Sequence, residues 1–353
     1  MSIRNALAVT AVITALGLSV ATVAINSTVH ANDRGQSRDQ TQKPKPAQDP
    51  GRQDSDVLVL NSDLVMLDVT VIDAAGNKPV LDLKQDQFQV FEDKAPQKIE
   101  FFSREQVPVS VVFAIDTSGS MKPKLDTVIK ASVNLAKEAR PGDEMAVVDF
   151  KDSFDLVSEF TEDVSDITDS LQNLTGSGRT AMLDALYLAS DYAHKEAKNR
   201  RRAVILVTDG LDRNSYYKFD EVVERLRELD VQIYLIGFTN DLSDDGAWVF
   251  KKSDKDKAEG LLNRLASETG GRAFFPKELP EVHTIAQQIS TDLRTQYAVG
   301  YYPTNSKHDG TFRTIRVQVN ASGSRRLVAR TRNGYTAPRE GEPRAIPAKQ
   351  SPN

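Results

Sequence analysis

The sequence predicts an α/β fold in which a doubly wound, mostly parallel sheet of the Rossmann type is inserted into a β-sandwich. Between residues 107 and 294, short β-branched apolar runs alternate with stretches of helical periodicity. This pattern is typical of strands that are buried on both faces of a parallel sheet. On either side of this block, apolar residues recur at every second position, as in half-buried antiparallel strands.

The central block contains four apolar runs that we predict to be buried strands, at residues 109–115, 145–150, 203–207 and 231–238. Five stretches with helical period accompany them, at residues 125–139, 182–193, 219–229, 261–265 and 282–293. Another run, at 154–160, follows the second strand so closely that we expect an antiparallel partner at the sheet edge. Alternating strands and helices imply a sheet covered by helices on both faces.

The two flanks, residues 57–106 and 295–337, show the two-residue period of antiparallel strands. Each is about 45 residues long, which is small for an independent hydrophobic core. We therefore predict that the flanks form the two halves of one β-sandwich, into which residues 107–294 are inserted.

Composition excludes several classes of protein. The 353 residues include 45 Lys and Arg against 50 Asp and Glu, a formal net charge of −5. A mildly acidic chain is a poor nucleic-acid binder, so we expect no nucleic-acid partner. Cysteine is absent, which excludes disulfides and catalytic thiols, and the four His do not cluster in the sequence. A zinc site with several His ligands is therefore not expected.

The N-terminal segment predicts export. Arg4 precedes an uncharged stretch at residues 6–25, and small or apolar residues stand at Val29 and Ala31. We interpret residues 1–31 as a signal peptide cleaved after Ala31 or as a retained membrane anchor. Residues 32–56 and 338–353 are polar or proline-rich and are expected to be a disordered linker and tail. The expected location is the periplasm, the cell surface or the extracellular space.

Polar side chains follow two of the predicted strands at the points where these strands end. An Asp-Thr-Ser-Gly-Ser stretch at 116–120 follows the first strand, and Asp209 follows the third. A glycine-containing loop at 176–180, which ends in Thr180, precedes the second helix. Ligands of open α/β sheets bind beyond the carboxyl ends of the strands, so we expect these segments to lie at one edge.

Two carboxylates and three hydroxyls form an oxygen-only donor set. Such a set suits Mg²⁺, Mn²⁺ or Ca²⁺ better than Zn²⁺ or Cu²⁺. Because few of these donors are anionic, the bound ion would remain short of negative charge. It could therefore accept a carboxylate from a partner protein as its last ligand.

The spacing Asp-x-Ser-x-Ser, a loop Thr and a Thr-Asp-Gly after a strand resembles the von Willebrand factor type A domain and its metal-ion-dependent adhesion site. The resemblance covers about residues 107–294. It implies an α/β domain that binds proteins through the ion, without covalent chemistry. Carried over to this sequence, it implies that Ser118, Ser120 and Thr180 bind the ion through their hydroxyls. It also implies that Asp116 and Asp209 bind the ion directly or through water.

The flanks extend this resemblance to a bacterial group of exported proteins in which such a domain lies between two β segments. The matching features are the Val-Thr-Val-Ile-Asp stretch at 69–73 and the Phe-Gln-Val-Phe-Glu-Asp stretch at 88–93 before the domain. After it come Tyr-Ala-Val-Gly-Tyr-Tyr-Pro at 297–303 and Arg-Asn-Gly-Tyr at 332–335.

Alternatives for the same residues are structural or enzymatic. The Asp and Ser residues could cap the following helix, and Asp209-Gly210 could form a simple turn. The 176–180 loop lacks the Lys of a P-loop, and neither Ser118 nor Ser120 stands in a Gly-x-Ser-x-Gly motif. We therefore predict a protein that is not an enzyme. The alternative functions are a cell-envelope assembly protein with a purely structural metal, and a metal-assisted hydrolase.

Two further segments permit more than one interpretation. The aromatic residues Trp248 and Phe250, in an insertion after the fourth strand, could contact a partner or pack in the core. The basic segment 195–202, with the run Asn-Arg-Arg-Arg at 199–202, is predicted to cap a helix C-terminus before a strand, where cations are favourable, in preference to binding nucleic acid.

Overall fold

The computed structural model describes residues 64–75, 78–104, 106–210, 212–242, 253–320 and 325–340. The predicted signal segment, the 32–56 linker, Trp248, Phe250 and residues 341–353 of the predicted tail lie outside these ranges.

The described residues form fifteen strands, six α-helices and one 3₁₀ helix at Gln85–Gln87. The strands are β1 Val65–Asp73, β2 Lys78–Pro79, β3 Phe88–Glu92, β4 Ala95–Gln97, β5 Ile99–Ser103, β6 Val109–Asp116, β7 Glu144–Phe150, β8 Phe154–Thr161, β9 Arg201–Thr208, β10 Gln232–Gly237, β11 Arg272–Phe274, β12 Tyr297–Tyr301, β13 Phe312–Val319, β14 Leu327–Arg330 and β15 Gly334–Thr336. The helices are α1 Leu125–Lys137, α2 Val164–Gln172, α3 Met182–Glu196, α4 Phe219–Glu228, α5 Asp254–Glu268 and α6 Glu281–Arg294.

The central sheet has the strand order β11-β10-β9-β6-β7-β8. All its neighbouring pairs are parallel except β7 and β8, which are antiparallel at the sheet edge. One face packs against α1, α2 and α6, and the other packs against α3, α4 and α5. The predicted doubly wound α/β fold, with its antiparallel edge strand, is therefore confirmed.

Every residue of β6 is buried, because its side chains alternate between two hydrophobic clusters. Phe113 and Ile115 belong to one cluster, while Val112 and Ala114 belong to the other. A strand that is covered on both faces requires a continuous apolar run, which is the pattern that the sequence shows.

Two elements of the α/β block were not predicted. Helix α2 buries only Ile167 and Leu171, four residues apart, so its helical period is weak in the sequence. The Asp163 side chain begins this helix by accepting a hydrogen bond from the Ser165 amide at 2.8 Å. Strand β11 has three residues, too few to show a period.

The two flanks pair with each other in two antiparallel sheets. One contains β14-β1-β12-β5, with β2 beside β1, and the other contains β15-β13-β3-β4. Each sheet combines strands from before and after the α/β block, and side chains of both sheets form one buried cluster. This pairing is consistent with the expected sandwich, while the domain boundaries remain predictions.

The basic run at 199–202 lies between the end of α3 and the start of β9, and it also connects the α/β block to the flanks. The Arg201 side chain is 1% exposed and donates to the Leu293 carbonyl at the end of α6, not to the preceding helix. Arg200 and Arg201 also pair with Asp68 of β1, at 2.7 and 3.3 Å. Burial raises the pKa of Asp68, but these two guanidinium groups outweigh burial and hold that pKa below its usual value.

Removing the Asp68 carboxylate should destabilise the protein. Asp68→Ala leaves the buried Arg201 without its ionic partner, and we expect a loss of about 3 kcal/mol in urea unfolding at pH 7. The contribution of the Asp68 carboxylate to the free energy of unfolding should be complete above about pH 4, where the carboxyl of the unfolded chain is ionised. This contribution should decrease as the pH falls further. Asp82→Ala is the control, because its pair with Arg325 is exposed and should contribute at most about 0.5 kcal/mol. Equal losses in both variants would contradict this prediction.

Candidate metal centre

The candidate site lies where β6 and β9 end side by side. Strand β7, which follows β6 in the chain, pairs with one edge of β6. Strand β9, which comes later in the chain, pairs with the opposite edge of β6. The carboxyl ends of the two strands therefore border the crevice in which open α/β sheets bind ligands. Asp116 is the last residue of β6, and Asp209 directly follows β9.

The Asp116 carboxylate is fully buried and accepts hydrogen bonds on both oxygens. The Ser118 amide donates to Oδ1 at 2.9 Å, and the Thr208 hydroxyl donates to Oδ2 at 2.7 Å. Burial is the main influence and raises the pKa of Asp116 to about 6. The negative charge of Asp209 acts in the same direction, while the hydrogen bonds lower this pKa.

The two serine hydroxyls lie beside each other, with Ser118 Oγ 3.2 Å from Ser120 Oγ. Ser118 is buried, whereas Ser120 is exposed to solvent. The pair therefore extends from the buried Asp116 carboxylate to the protein surface. The chain turns at this point, where the Met121 amide donates to the Ser118 carbonyl at 3.0 Å.

Backbone hydrogen bonds hold the 176–180 loop against the serine loop. The Ser177 amide donates to the Thr117 carbonyl at 2.7 Å, and the Gly119 amide donates to the Gly178 carbonyl at 3.1 Å. Gly178 has a φ of +80°, and a Cβ there would lie 2.4 Å from an oxygen of Asp152. Glycine is therefore required at this position for the loop to approach.

Thr180 and Asp209 complete the predicted set at this edge. Both are buried, with exposed fractions of 2% and 6%. The Thr180 carbonyl accepts from the amides of Arg213 and Asn214, at 3.0 and 3.2 Å, which connects the 176–180 loop to the segment after β9. Hydrogen bonds thus join the three segments. The negative charge of Asp209 also contributes to the raised pKa of Asp116.

Several residues that support the site are not apparent from the sequence. Thr208 was not predicted to bind Asp116, although it is the hydroxyl residue at the end of an aliphatic strand. Asp149, near the end of strand β7, accepts from the Thr117 hydroxyl and pairs with Lys151 at 2.9 Å. These two polar residues could have indicated that polar contacts continue beneath the site.

Across the described ranges, no group of three or more His, Cys, Asp and Glu side chains is placed to hold a metal ion. The predicted donor set has two carboxylates, with hydroxyls supplying the other oxygens.

The buried charge of Asp116 should make the metal-free protein less stable as the pH rises. The folded state keeps this proton up to about pH 6, whereas the unfolded chain releases it near pH 3.8. Stability should therefore fall by about 3 kcal/mol through this window and then level off. We expect Asp116→Asn to abolish the fall, measured by urea unfolding in EDTA between pH 4 and pH 8. Asp86→Asn, at an exposed position of the flank, should show the same fall in stability as wild type. A fall of wild-type size in Asp116→Asn would refute the prediction.

The Thr208 hydroxyl should stabilise ionised Asp116. Thr208→Val keeps the shape and β-branching but leaves Oδ2 without its donor, so we expect a loss of about 1–3 kcal/mol at pH 7. The pKa of Asp116 should rise further, because the donor favours the charged form. Urea unfolding and a carboxyl titration by NMR would measure both effects. Thr291→Val, which removes a hydroxyl on the exposed side of α6, should change stability by less than about 0.5 kcal/mol.

The family model of the von Willebrand factor type A domain matches residues 110–288, slightly more than half of the chain. No curated protein matches the chain.

Two of the solved structures that match this chain are described here. One is an aerotolerance-related membrane protein from Bacteroides fragilis, at 17% identity, with 52% of this chain and 98% of that chain covered and a TM-score of 0.42. The other is the vWF domain of the type V pili tip protein Mfa5 from Porphyromonas gingivalis, at 14% identity, with 54% and 97% covered and a TM-score of 0.42. On the strength of the family match, the chain belongs to the von Willebrand factor type A domain family.

Proposed function

We propose that this protein binds a partner protein through a divalent ion, with the partner donating a carboxylate to that ion. The ion would be held by Asp116, Ser118, Ser120, Thr180 and Asp209. The observation that supports this most directly is the buried Asp116 carboxylate, whose charge is disfavoured by burial and by Asp209. A dication between these groups would relieve both unfavourable effects.

The chemistry of the donors fits such an ion. The site offers two carboxylates and neighbouring hydroxyls 3.2 Å apart, which are the hard oxygen ligands of Mg²⁺, with Mn²⁺ and Ca²⁺ as alternatives. A bound dication would neutralise the two carboxylates and attract an anionic group from outside. The exposed Ser120 would leave the ion accessible to that group.

We also propose a binding role without catalysis. Asp116 or Asp209 could serve as a general base only by giving up its role as a ligand. Membership of the von Willebrand factor type A family supports protein interaction as the more economical explanation.

Export to the periplasm, cell surface or extracellular space remains part of the proposal. It depends on residues 1–31, which lie outside the described ranges. Within those ranges, no helix combines the length and apolar character needed to cross a bilayer.

Metal titration tests the site directly. In isothermal titration calorimetry with Mg²⁺ and Mn²⁺, wild type should show a saturable heat that Asp116→Ala lacks. Asp86→Ala removes an exposed carboxylate from the flank and should behave as wild type. Saturating Mg²⁺ should also stabilise wild type against urea, by about 2.7 kcal/mol at one hundred times Kd. Equal heats in wild type and Asp116→Ala would contradict the proposal.

Dependence on the ion separates partner binding from a structural role of the metal. Proteins captured from an envelope extract by wild type should be lost in EDTA and with Asp116→Ala. Capture that survives both treatments would favour the cell-envelope assembly protein, in which the flanking sheets make the contacts.

A further inference from the structure

The end of strand β7 supports the candidate site without contributing a ligand to the proposed set. Thr117, the residue between Asp116 and Ser118, is fully buried. Its hydroxyl donates to the Asp149 carboxylate, and its amide donates to the Phe150 carbonyl at 3.0 Å. The serine loop is therefore attached to β7 through both a side chain and the backbone.

The same stretch of chain also holds the neighbouring loop that ends in Thr180. The Lys151 carbonyl accepts from the Ala181 amide at 2.8 Å, directly after this proposed ligand. The Asp152 carboxylate accepts from the Arg179 amide at 3.2 Å, directly before it. The residues at the end of β7 and just beyond it thus contact both loops that supply the proposed hydroxyl ligands.

The Asp149 carboxylate is itself held in place. It belongs to a buried residue, 8% exposed, and each of its oxygens has a partner. Oδ1 accepts from the Thr117 hydroxyl, and Oδ2 accepts from the Lys151 ammonium at 2.9 Å. Because a buried polar group with all its partners in place is rigid, Asp149 fixes the orientation of the Thr117 side chain.

An equivalent contact joins the same two strands at their other end. There the Ser110 hydroxyl donates to the Glu144 carboxylate at 2.6 Å, and both residues are buried. These two residues lie opposite each other where the parallel pairing of β6 and β7 begins, whereas the candidate site lies where it ends. The protein therefore contains two similar hydroxyl–carboxylate contacts between β6 and β7, of which one adjoins the proposed ligands.

The ion that the site would hold is sensitive to the placement of its ligands. Mg²⁺ requires nearly ideal octahedral geometry with oxygens at about 2.1 Å, whereas Ca²⁺ accepts flexible arrangements with oxygens at about 2.3–2.6 Å. Residues that orient metal ligands commonly change the metal affinity by about 10- to 100-fold when they are replaced. A serine loop released from β7 would therefore lose more affinity for Mg²⁺ than for Ca²⁺.

We propose that Asp149 is a positioning residue of the ion site, which acts through the Thr117 hydroxyl to set the affinity for Mg²⁺ and the preference for Mg²⁺ over Ca²⁺. The inference rests on the proposed function, because it assumes that Ser118 and Ser120 bind the ion. Asp149 does not belong to the proposed ligand set. It holds the backbone that carries these two hydroxyls.

Titration of three variants with Mg²⁺ and with Ca²⁺, by isothermal titration calorimetry, tests this role. Thr117→Val removes the hydroxyl and keeps the charge of Asp149, while Asp149→Ala removes both the acceptor and the charge. Both should bind Mg²⁺ about 10- to 100-fold more weakly than wild type, and their preference for Mg²⁺ over Ca²⁺ should fall at least about 3-fold. Asp149→Asn keeps an oxygen that can accept from Thr117, so its Mg²⁺ affinity should stay within about 3-fold of wild type.

Ser110→Ala is the matched control, because it removes the hydroxyl of the equivalent contact at the other end of β6. It should lower the midpoint of urea unfolding in EDTA, as Thr117→Val does, since a buried carboxylate loses its donor in both. Its Mg²⁺ affinity should nevertheless stay within about 2-fold of wild type, because distant sites act independently. The urea curves also show which variants fold, and Thr117→Val decides the result where Asp149→Ala does not fold.

Three outcomes would overturn this inference and leave the proposed function intact. The first is wild-type Mg²⁺ affinity, or an unchanged preference over Ca²⁺, in Thr117→Val. The second is equal weakening in Asp149→Asn and Asp149→Ala, since the effect would then come from the negative charge alone. The third is an equal loss of affinity in Ser110→Ala. Absence of a saturable Mg²⁺ heat in wild type would instead overturn the proposed function, and this inference with it.

Discussion

The parallel pairing of β6 with β9 is the constraint on which the rest of the site depends. Register brings the ends of these strands together, so Asp116 and Asp209 lie at one edge although they are distant in sequence. Both carboxylates are buried there, where like charges are least favourable. The amide of Ser118 and the hydroxyl of Thr208 partly compensate Asp116, and its pKa still rises to about 6. This residual instability is the physical reason for proposing a cation.

Strand β9 also connects the site to the flanks. It begins at Arg201, which is buried and bonded to Asp68 of β1 and to the end of α6. Seven residues later it ends beside Asp116, at Thr208. The α/β block is thus anchored to the flanking sheets at one end of this strand, and the candidate binding site lies at the other end.

Loops from different parts of the chain support each other around the site. The 176–180 loop bonds to the serine loop on one side and to the segment of Arg213 and Asn214 on the other. The proposed metal ligands are thus held by hydrogen bonds between separate parts of the chain.

The sequence by itself determined the alternation of strands and helices and the antiparallel edge strand, because burial on both faces requires continuous apolar runs. It also determined the order of the candidate ligands, because these polar residues follow the ends of the strands. It did not reveal α2 or β11, whose buried positions are too few to show a period. Only the tertiary structure decided that Arg201 bonds to Asp68, that Thr208 bonds to Asp116 and that Thr117 bonds to Asp149. These contacts join residues up to 133 positions apart, and no local periodicity encodes such pairings.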